Sequence, residues 1–163
     1  MQTTTQNDSK SRTRAPGRRE QRIFAFKILY SLPFSPEAKT EDIQATFDSF
    51  AREHNIPEEK KDNFAWTLVA GVFKHKQKID EIIGQYSKNW KVGRIARVEL
   101  SIMRLAVFEI LCQHDIPARV TMNEAVEIAK QYGDEHSKNF INGILDAVAK
   151  DAENGKLGPC PQG

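Results

Sequence analysis

The chain is short of cysteine, of long apolar runs and of the short motifs that carry enzyme chemistry. Its 163 residues include two cysteines, Cys112 and Cys160. Two thiols cannot build a disulfide framework, nor supply a four-ligand zinc site alone. Cys112 continues an apolar run and reads as a small core residue. No stretch approaches the roughly 18 apolar residues that a membrane span needs. The opening segment MQTTTQNDSKSRTRAPGRRE has no apolar core of the kind a secretory signal carries. The expected compartment is the cytoplasm, with no membrane partner. Glycine-rich phosphate loops, G-x-G-x-x-G, H-E-x-x-H and G-x-S-x-G are all missing. The four histidines, His54, His75, His114 and His136, stand singly at expected helix ends and surfaces. A lone histidine there is far more often incidental than a ligand. The acid pairs Glu41-Asp42 and Glu58-Glu59 fall at helix starts, where the helix dipole accounts for them. No enzyme activity, catalytic residue, cofactor or metal site is expected.

Charge is present, and it is unevenly placed. The net charge is +2. Residues 10–30 hold Lys10, Arg12, Arg14, Arg18, Arg19, Arg22 and Lys27 against Glu20, which is 7 − 1 = +6. The rest of the chain holds 17 basic and 21 acidic residues, or −4. A basic arm on a mildly acidic body points to an anionic partner at one end. Arginine suits phosphate because its fork donates two parallel hydrogen bonds. A solvated tail that happens to be basic is the plainer alternative.

Proline is absent from 58–116 and from 118–158, so helices can run there unbroken. The first helix is expected over about residues 18–31, ended by Pro33 and Pro36. The second starts near Thr40 as N-cap, with Ile43, Phe47 and Phe50 on one face. Pro57 fits the first position of a third helix, continued by Phe64, Leu68 and Val72. Ile79, Ile82, Ile83 and Tyr86 carry a fourth, with Gly84 and Gly93 bracketing a break near Trp90. The next, over about 94–112, has apolar residues in nearly every direction and belongs at the centre of a bundle. Thr121 and Glu124 form a T-x-x-E capping box for another helix, closed by Gly133 as a C′ glycine. A last helix, about 136–151, packs through Phe140, Ile144 and Val148. Asn142-Gly143 sits in helical rather than alternating flanks, so Gly143 reads as a point where another backbone comes close. The expected architecture is all-α, about seven helices and no strand. Residues 1–16 form a disordered basic tail, 17–152 one domain and 153–163 a flexible tail.

Three features suit binding better than catalysis. Arg18 and Arg22 share a helix face, with Arg19 beside them and Tyr30 two turns further. Arg97 and Arg104 lie two turns apart, with Glu99 nearby, on a helix that otherwise avoids charge. Phe140 follows Ser137, Lys138 and Asn139. It is either a core residue or a face on which an unpaired base stacks.

The stretch D-I-P-A-R-V-T-M-N-E-A-V-E-I-A-K-Q-Y-G (115–133) is followed by S-K-N-F-I-N-G-I-L-D (137–146). R-R-x-x-R leads to I-L-Y (18–30), L-V-x-G-V precedes His75 (68–75), and R-V-E-L-S-I-M-R-L-A-V-F-E-I-L fills 97–111. On these residues the chain resembles the NusB family of bacterial transcription antitermination factors, over about 18–150. The resemblance implies two packed helical bundles and no enzyme activity. It implies binding of single-stranded boxA RNA in ribosomal RNA transcripts, as a heterodimer with NusE, a small-subunit ribosomal protein. Other Nus factors and RNA polymerase complete the assembly; apart from the resemblance, a homodimer of the free protein, hiding the basic face, is a further expectation. Arg18, Arg19 and Arg22 would map to the phosphate-contacting arm, and Tyr30, Glu99, Arg104 and Phe140 to the RNA side. Ile23 stands where many members have glutamate, and Leu100 where a lysine can occur. A protein-only helical adaptor remains an alternative. So does a module related to the N-terminal domain of ribosomal RNA cytosine methyltransferases, which a glycine-rich methyltransferase domain would have to follow.

Overall fold

A computed structural model describes residues 16–32, 38–56, 63–88, 91–158 and 160. The described residues form seven α-helices: α1 (Arg18–Ser31), α2 (Thr40–Glu53), α3 (Phe64–Lys74), α4 (Lys76–Tyr86), α5 (Arg97–Cys112), α6 (Ala118–Tyr132) and α7 (Ser137–Glu153). A single 3-10 turn, Val92–Arg94, precedes α5, and no strand occurs among these residues. The basic tail before Pro16, the prolines at 33, 36 and 57 and the break near Trp90 lie outside the described residues.

Eleven of the sixteen residues of α5 are buried, from Leu100 through Leu111 with Ile110 excepted. A helix so apolar must be covered on all sides. Helices α1 and α3 cover one side of α5, with α2 packed on that pair, while α4, α6 and α7 cover the other. These are the two bundles expected, and α5 belongs to both. Phe24, Phe47 and Trp66 tie α1, α2 and α3 together through edge-to-face ring contacts. Gly71 lies where α3 crosses α5, and a Cβ there would overlap the Phe108 ring.

Two charges of α5 are buried with it and are neutralised in place. The Glu109 carboxylate accepts from Arg22 Nε at 3.0 Å and from Arg22 Nη2 at 2.8 Å. Those side chains are 4% and 2% exposed. The Arg104 fork meets Asp80 of α4 at 2.8 and 2.9 Å. Arg22 joins α1 to α5, and Arg104 joins α4 to α5.

Several local expectations are corrected. Helix α3 starts at Phe64, with Asn63 as N-cap accepting from the Trp66 amide at 3.2 Å. The box Thr121-x-x-Glu124 caps nothing, because α6 already starts at Ala118 behind Pro117. Thr121 is buried against Glu109 at 3.5 Å, and Glu124 turns outward to Arg19. Gly133 ends α6 in extended rather than left-handed backbone (φ −97°). It is small because a Cβ would come within 2.7 Å of Ser137. Gly143 is exposed with nothing near its Cβ position, so no backbone approaches it among the described residues. Cys112 is no simple core residue, because it is disulfide-bonded to Cys160. The segment expected to run free after residue 153 is tied back there, with Leu157 packed on the core.

Removing one partner of a buried ion pair leaves the other charge desolvated and alone. Glu109→Ala should therefore lower the unfolding free energy by about 3–5 kcal/mol. Urea denaturation followed by helical circular dichroism measures it. An apolar double replacement, Arg22→Met with Glu109→Leu, should recover most of the loss.

Candidate functional site

The expected site residues divide into two groups. Arg22 and Arg104 are internal ion-pair partners, and neither reaches the surface as a free cation. Of the expected RNA-contacting set, these two stand behind the surface rather than on it. The RR-x-x-R spacing puts Arg18 and Arg22 on one helix face, and that face is the one buried against Phe64 and α5. The guanidinium of Arg18 lies 4.7 Å over the Phe64 ring, and that of Arg22 lies 5.2 Å from it. Arg18 still extends outward, with its side chain 55% exposed, 4.0 Å from Asp115.

Arg19 is exposed and clamped. Its Nε and Nη2 donate to the two Glu124 oxygens at 2.9 and 3.0 Å. Hydrogen bonding to Glu124 raises the Arg19 pKa, and the same bonds lower that of Glu124. The clamp holds the guanidinium over α6 and leaves its outer edge to solvent.

A second cluster forms at the other end of α1. Helix α1 delivers Tyr30, an exposed large apolar side chain at 43% exposure. The Arg97 guanidinium sits 5.3 Å from the Tyr30 ring centroid, and its Nη2 donates to the Leu32 carbonyl at 3.2 Å. One side of the tyrosine ring is thus covered by a cation, and the aromatic–cation pair lies on the surface. At the same N-terminal end of α5, Arg94, Ile95, Ala96, Glu99, His136 and Phe140 line an apolar pocket of about 320 Å³. Phe140 is half-buried there and rests on the core. Phe140 thus anchors α7 and also lines the pocket.

Glu99 connects the pocket to the α6–α7 turn. Ser137 Oγ lies 2.9 Å from Glu99 Oε1 and accepts from the Asp134 amide at 3.1 Å. The Asp134 carboxylate in turn accepts from the amides of His136 and Ser137 at 2.9 and 3.0 Å. Those amide bonds hold the Asp134 carboxyl below its ordinary pKa. The small residue at Gly133 lets Ser137 come this close.

The two ends of α1 are about 18 Å apart at 1.5 Å per residue. A shallow groove runs along α6 and α7 from Arg19 toward the Phe140 pocket. Arg19, Asn123, Glu127, Lys130, Lys138 and Asn142 line its first part. Lys130, Lys138, Asn139 and His136 line the next together with Asp134 and Glu135, and His136 also borders the Phe140 pocket. Lys130, His136, Lys138 and Asn139 were not singled out as site residues from sequence. Their signal was weak: they are ordinary surface residues, and only the packing of α6 on α7 aligns them. Such a groove, with lysines and carboxylates interspersed along it and the half-buried Phe140 ring at one end, offers polar and apolar contacts to an extended strand.

Residues 19–150 match the model of the NusB family. The transcription antitermination protein NusB of Nitratidesulfovibrio vulgaris (strain DSM 19637 / Miyazaki F) is 42% identical over 155 residues, covering 88% of this chain and 94% of that protein. The protein of the same name from Bacillus subtilis (strain 168) is 40% identical over 136 residues, covering 83% and 97%. T. maritima NusB superposes with a TM-score of 0.74 at 32% identity, covering 91% of this chain and 96% of that one. The crystal structure of antitermination factors NusB and NusE in complex with dsRNA matches with a TM-score of 0.70 at 28% identity, covering 82% and 96%.

The cap of α7 should depend on pH. The Asp134 carboxyl has a folded pKa below its unfolded value, so its stabilising bonds are complete above the unfolded value. They are lost as pH falls through the lowered folded value. Hydrogen exchange at the His136 and Ser137 amides, normalised to intrinsic rates, should rise through that acid range. Asp134→Asn should show the faster exchange already at neutral pH.

Proposed function

The chain belongs to the NusB family, and from that premise we propose that it is a transcription antitermination factor that binds boxA-type RNA of ribosomal RNA transcripts together with NusE. In this reading the pair joins other Nus factors on RNA polymerase in the bacterial cytoplasm and supports read-through of termination signals. No catalytic step enters it. The observation that carries the proposed RNA face is the exposed Tyr30 ring beneath Arg97, at the end of α5 that also borders the Phe140 pocket. A ring that is exposed on a well-packed helix offers a stacking surface at little ordering cost. Arg18 and Arg19 would meet phosphates at the far end of the groove, with Lys130 and Lys138 between. Glu99 would orient the turn through Ser137 rather than carry charge toward the RNA. Arg22 and Arg104 would act only by holding the helices that present these groups.

The reading is tested by fluorescence anisotropy of a labelled single-stranded boxA-type RNA, with the protein alone and with NusE added. A scrambled strand and a duplex of the same sequence serve as comparison. Binding should be weak alone, tightened by NusE and lost with the scrambled strand. Equal binding to all three RNAs, with no help from NusE, would leave a basic helical adaptor. Preference for the duplex would replace base stacking by backbone recognition. Sedimentation without RNA would reveal a homodimer of the free protein.

Each residue group has its own expected signature. Tyr30→Ala should weaken binding by about 1–3 kcal/mol, the usual worth of one stacked base. Phe140→Ala should do the same, with circular dichroism checking that α7 remains helical. Arg18→Ala with Arg19→Ala should flatten the log–log salt dependence by about 1.4, at roughly 0.7 per phosphate on a single strand. Arg104→Ala should lower stability and leave that slope unchanged.

A further inference from the structure

Far from the proposed RNA face, three residues meet that are widely separated along the chain. His75 lies at the corner between α3 and α4, Cys112 is the last residue of α5, and Cys160 lies beyond α7. His75 Nε2, Cys112 Sγ and Cys160 Sγ all lie within 4.8 Å of one another, and all three residues are half-buried. Arg97 and Cys112 are separated by about 22 Å of helix, so this cluster is remote from Tyr30 and Arg97.

We propose that Cys112, Cys160 and His75 form a thiolate–imidazole site for one zinc-class cation, available when the Cys112–Cys160 disulfide is reduced. The donor set is the first argument. Two thiolates and one imidazole are the ligands that zinc prefers, and three protein ligands with water in the fourth place make a complete tetrahedron. Geometry is the second. Zn–S of about 2.3 Å and Zn–N of about 2.0–2.1 Å place sulfur and nitrogen about 3.6 Å apart in a tetrahedral site. His75 Nε2 and Cys160 Sγ are 3.5 Å apart. Once the S–S bond is broken, the two sulfurs need only separate to about 3.8 Å, the corresponding S···S edge. The Cα atoms, 5.2 Å apart, accommodate this by side-chain rotation.

The surroundings supply the third argument. The His75 ring is stacked on Phe108, at 6.2 Å between centroids and 17° between planes. Its backbone is fixed on both sides, the amide donating to Gly71 and the carbonyl accepting from Ile79. Phe108 fits there only because Gly71 lacks a side chain. The tail is brought to the site by Leu157 packing on the core and by Lys78 Nζ meeting the Gly158 carbonyl at 3.5 Å. Two thiolates cancel the charge of the dication, so the neighbouring lysines do not oppose it. In a reducing compartment, paired cysteines beside a histidine serve metal binding more often than a permanent disulfide.

The chemistry balances in two steps. A phosphine reductant with one water takes the disulfide to two thiols and itself becomes the phosphine oxide. The cation then displaces two thiol protons to solvent, one from each sulfur, and no electron moves. Oxidation and metal binding thus exclude each other.

The test uses the full chain, reduced with a phosphine, freed of it in oxygen-free buffer and titrated with Co²⁺ and then Zn²⁺. One Co²⁺ per chain should bind with thiolate-to-metal charge-transfer absorption, and Zn²⁺ should displace it. The oxidised chain should show neither signal. Cys160→Ser, which lies beyond the last helix and leaves the fold intact, should halve the charge-transfer intensity. His75→Gln should shift the Co²⁺ d–d spectrum. Each substitution should weaken Zn²⁺ binding by more than the ~10–100-fold that loss of an outer-shell partner costs. The proposal fails if the reduced chain binds no Co²⁺, or if binding persists unchanged in Cys160→Ser. A reduced chain that re-forms its disulfide on return to air at the same rate with Zn²⁺ as without it also overturns it, leaving a redox tether.

Discussion

Everything in this structure is arranged around the need to cover α5 on all sides. A helix with eleven buried residues of sixteen cannot lie at a surface. Five helices are therefore packed against it in two groups, with α2 behind α1 and α3, and the described residues share one core. The coverage extends to polar groups. Glu109 and Arg104 sit on that helix and cannot reach water, so each is matched by an opposite charge from a covering helix. These pairs set which face of α1 and of α4 turns inward. They thereby fix which side chains those helices present outward.

That constraint sorts the arginines. The arm of α1 reads as a uniform run of cations, yet its members have different tasks. Arg22 points in to Glu109, Arg19 points along α6 to Glu124, and Arg18 lies across Phe64. A helix places residues four apart on one face, so the face shared by Arg18 and Arg22 had to be either the binding face or the packing face. The apolar demand of α5 decided for packing at Arg22. The proposed RNA face is left with the cations that no internal carboxylate claims, together with the ring of Tyr30 at the opposite end of α1. Electrostatic matching inside the domain and charge exposed outside it are two sides of one allocation.

Helix boundaries in this chain were legible wherever the local chemistry acts locally. The limits of α1 and the encirclement of α5 follow from proline placement and from apolar periodicity. Boundaries failed where a distant group captured the signal residue. Thr121 and Glu124 have capping spacing, but Glu109 and Arg19 take their side chains, and the helix starts a turn earlier at Pro117. Gly133 stands at a helix end as expected, but for the approach of Ser137 and not for a left-handed turn. The site was legible in part for the same reason. Tyr30, Arg97 and Phe140 are near surfaces that motif and periodicity can place. Lys130, His136 and Lys138 align only through the packing of α6 on α7.

The sequence by itself determined the all-α architecture, the central helix, the basic entry to α1 and the family. Those properties reside in spacing along the chain, which a 3.6-residue period converts directly into faces. Only the tertiary structure decided which arginines are internal and which are free. It also decided that Phe140 is both anchor and pocket wall, and that Cys112 meets Cys160 beside His75. These are matters of distance between residues far apart in the chain. No local spacing encodes such distances, because they are set by how seven helices share the burial of one.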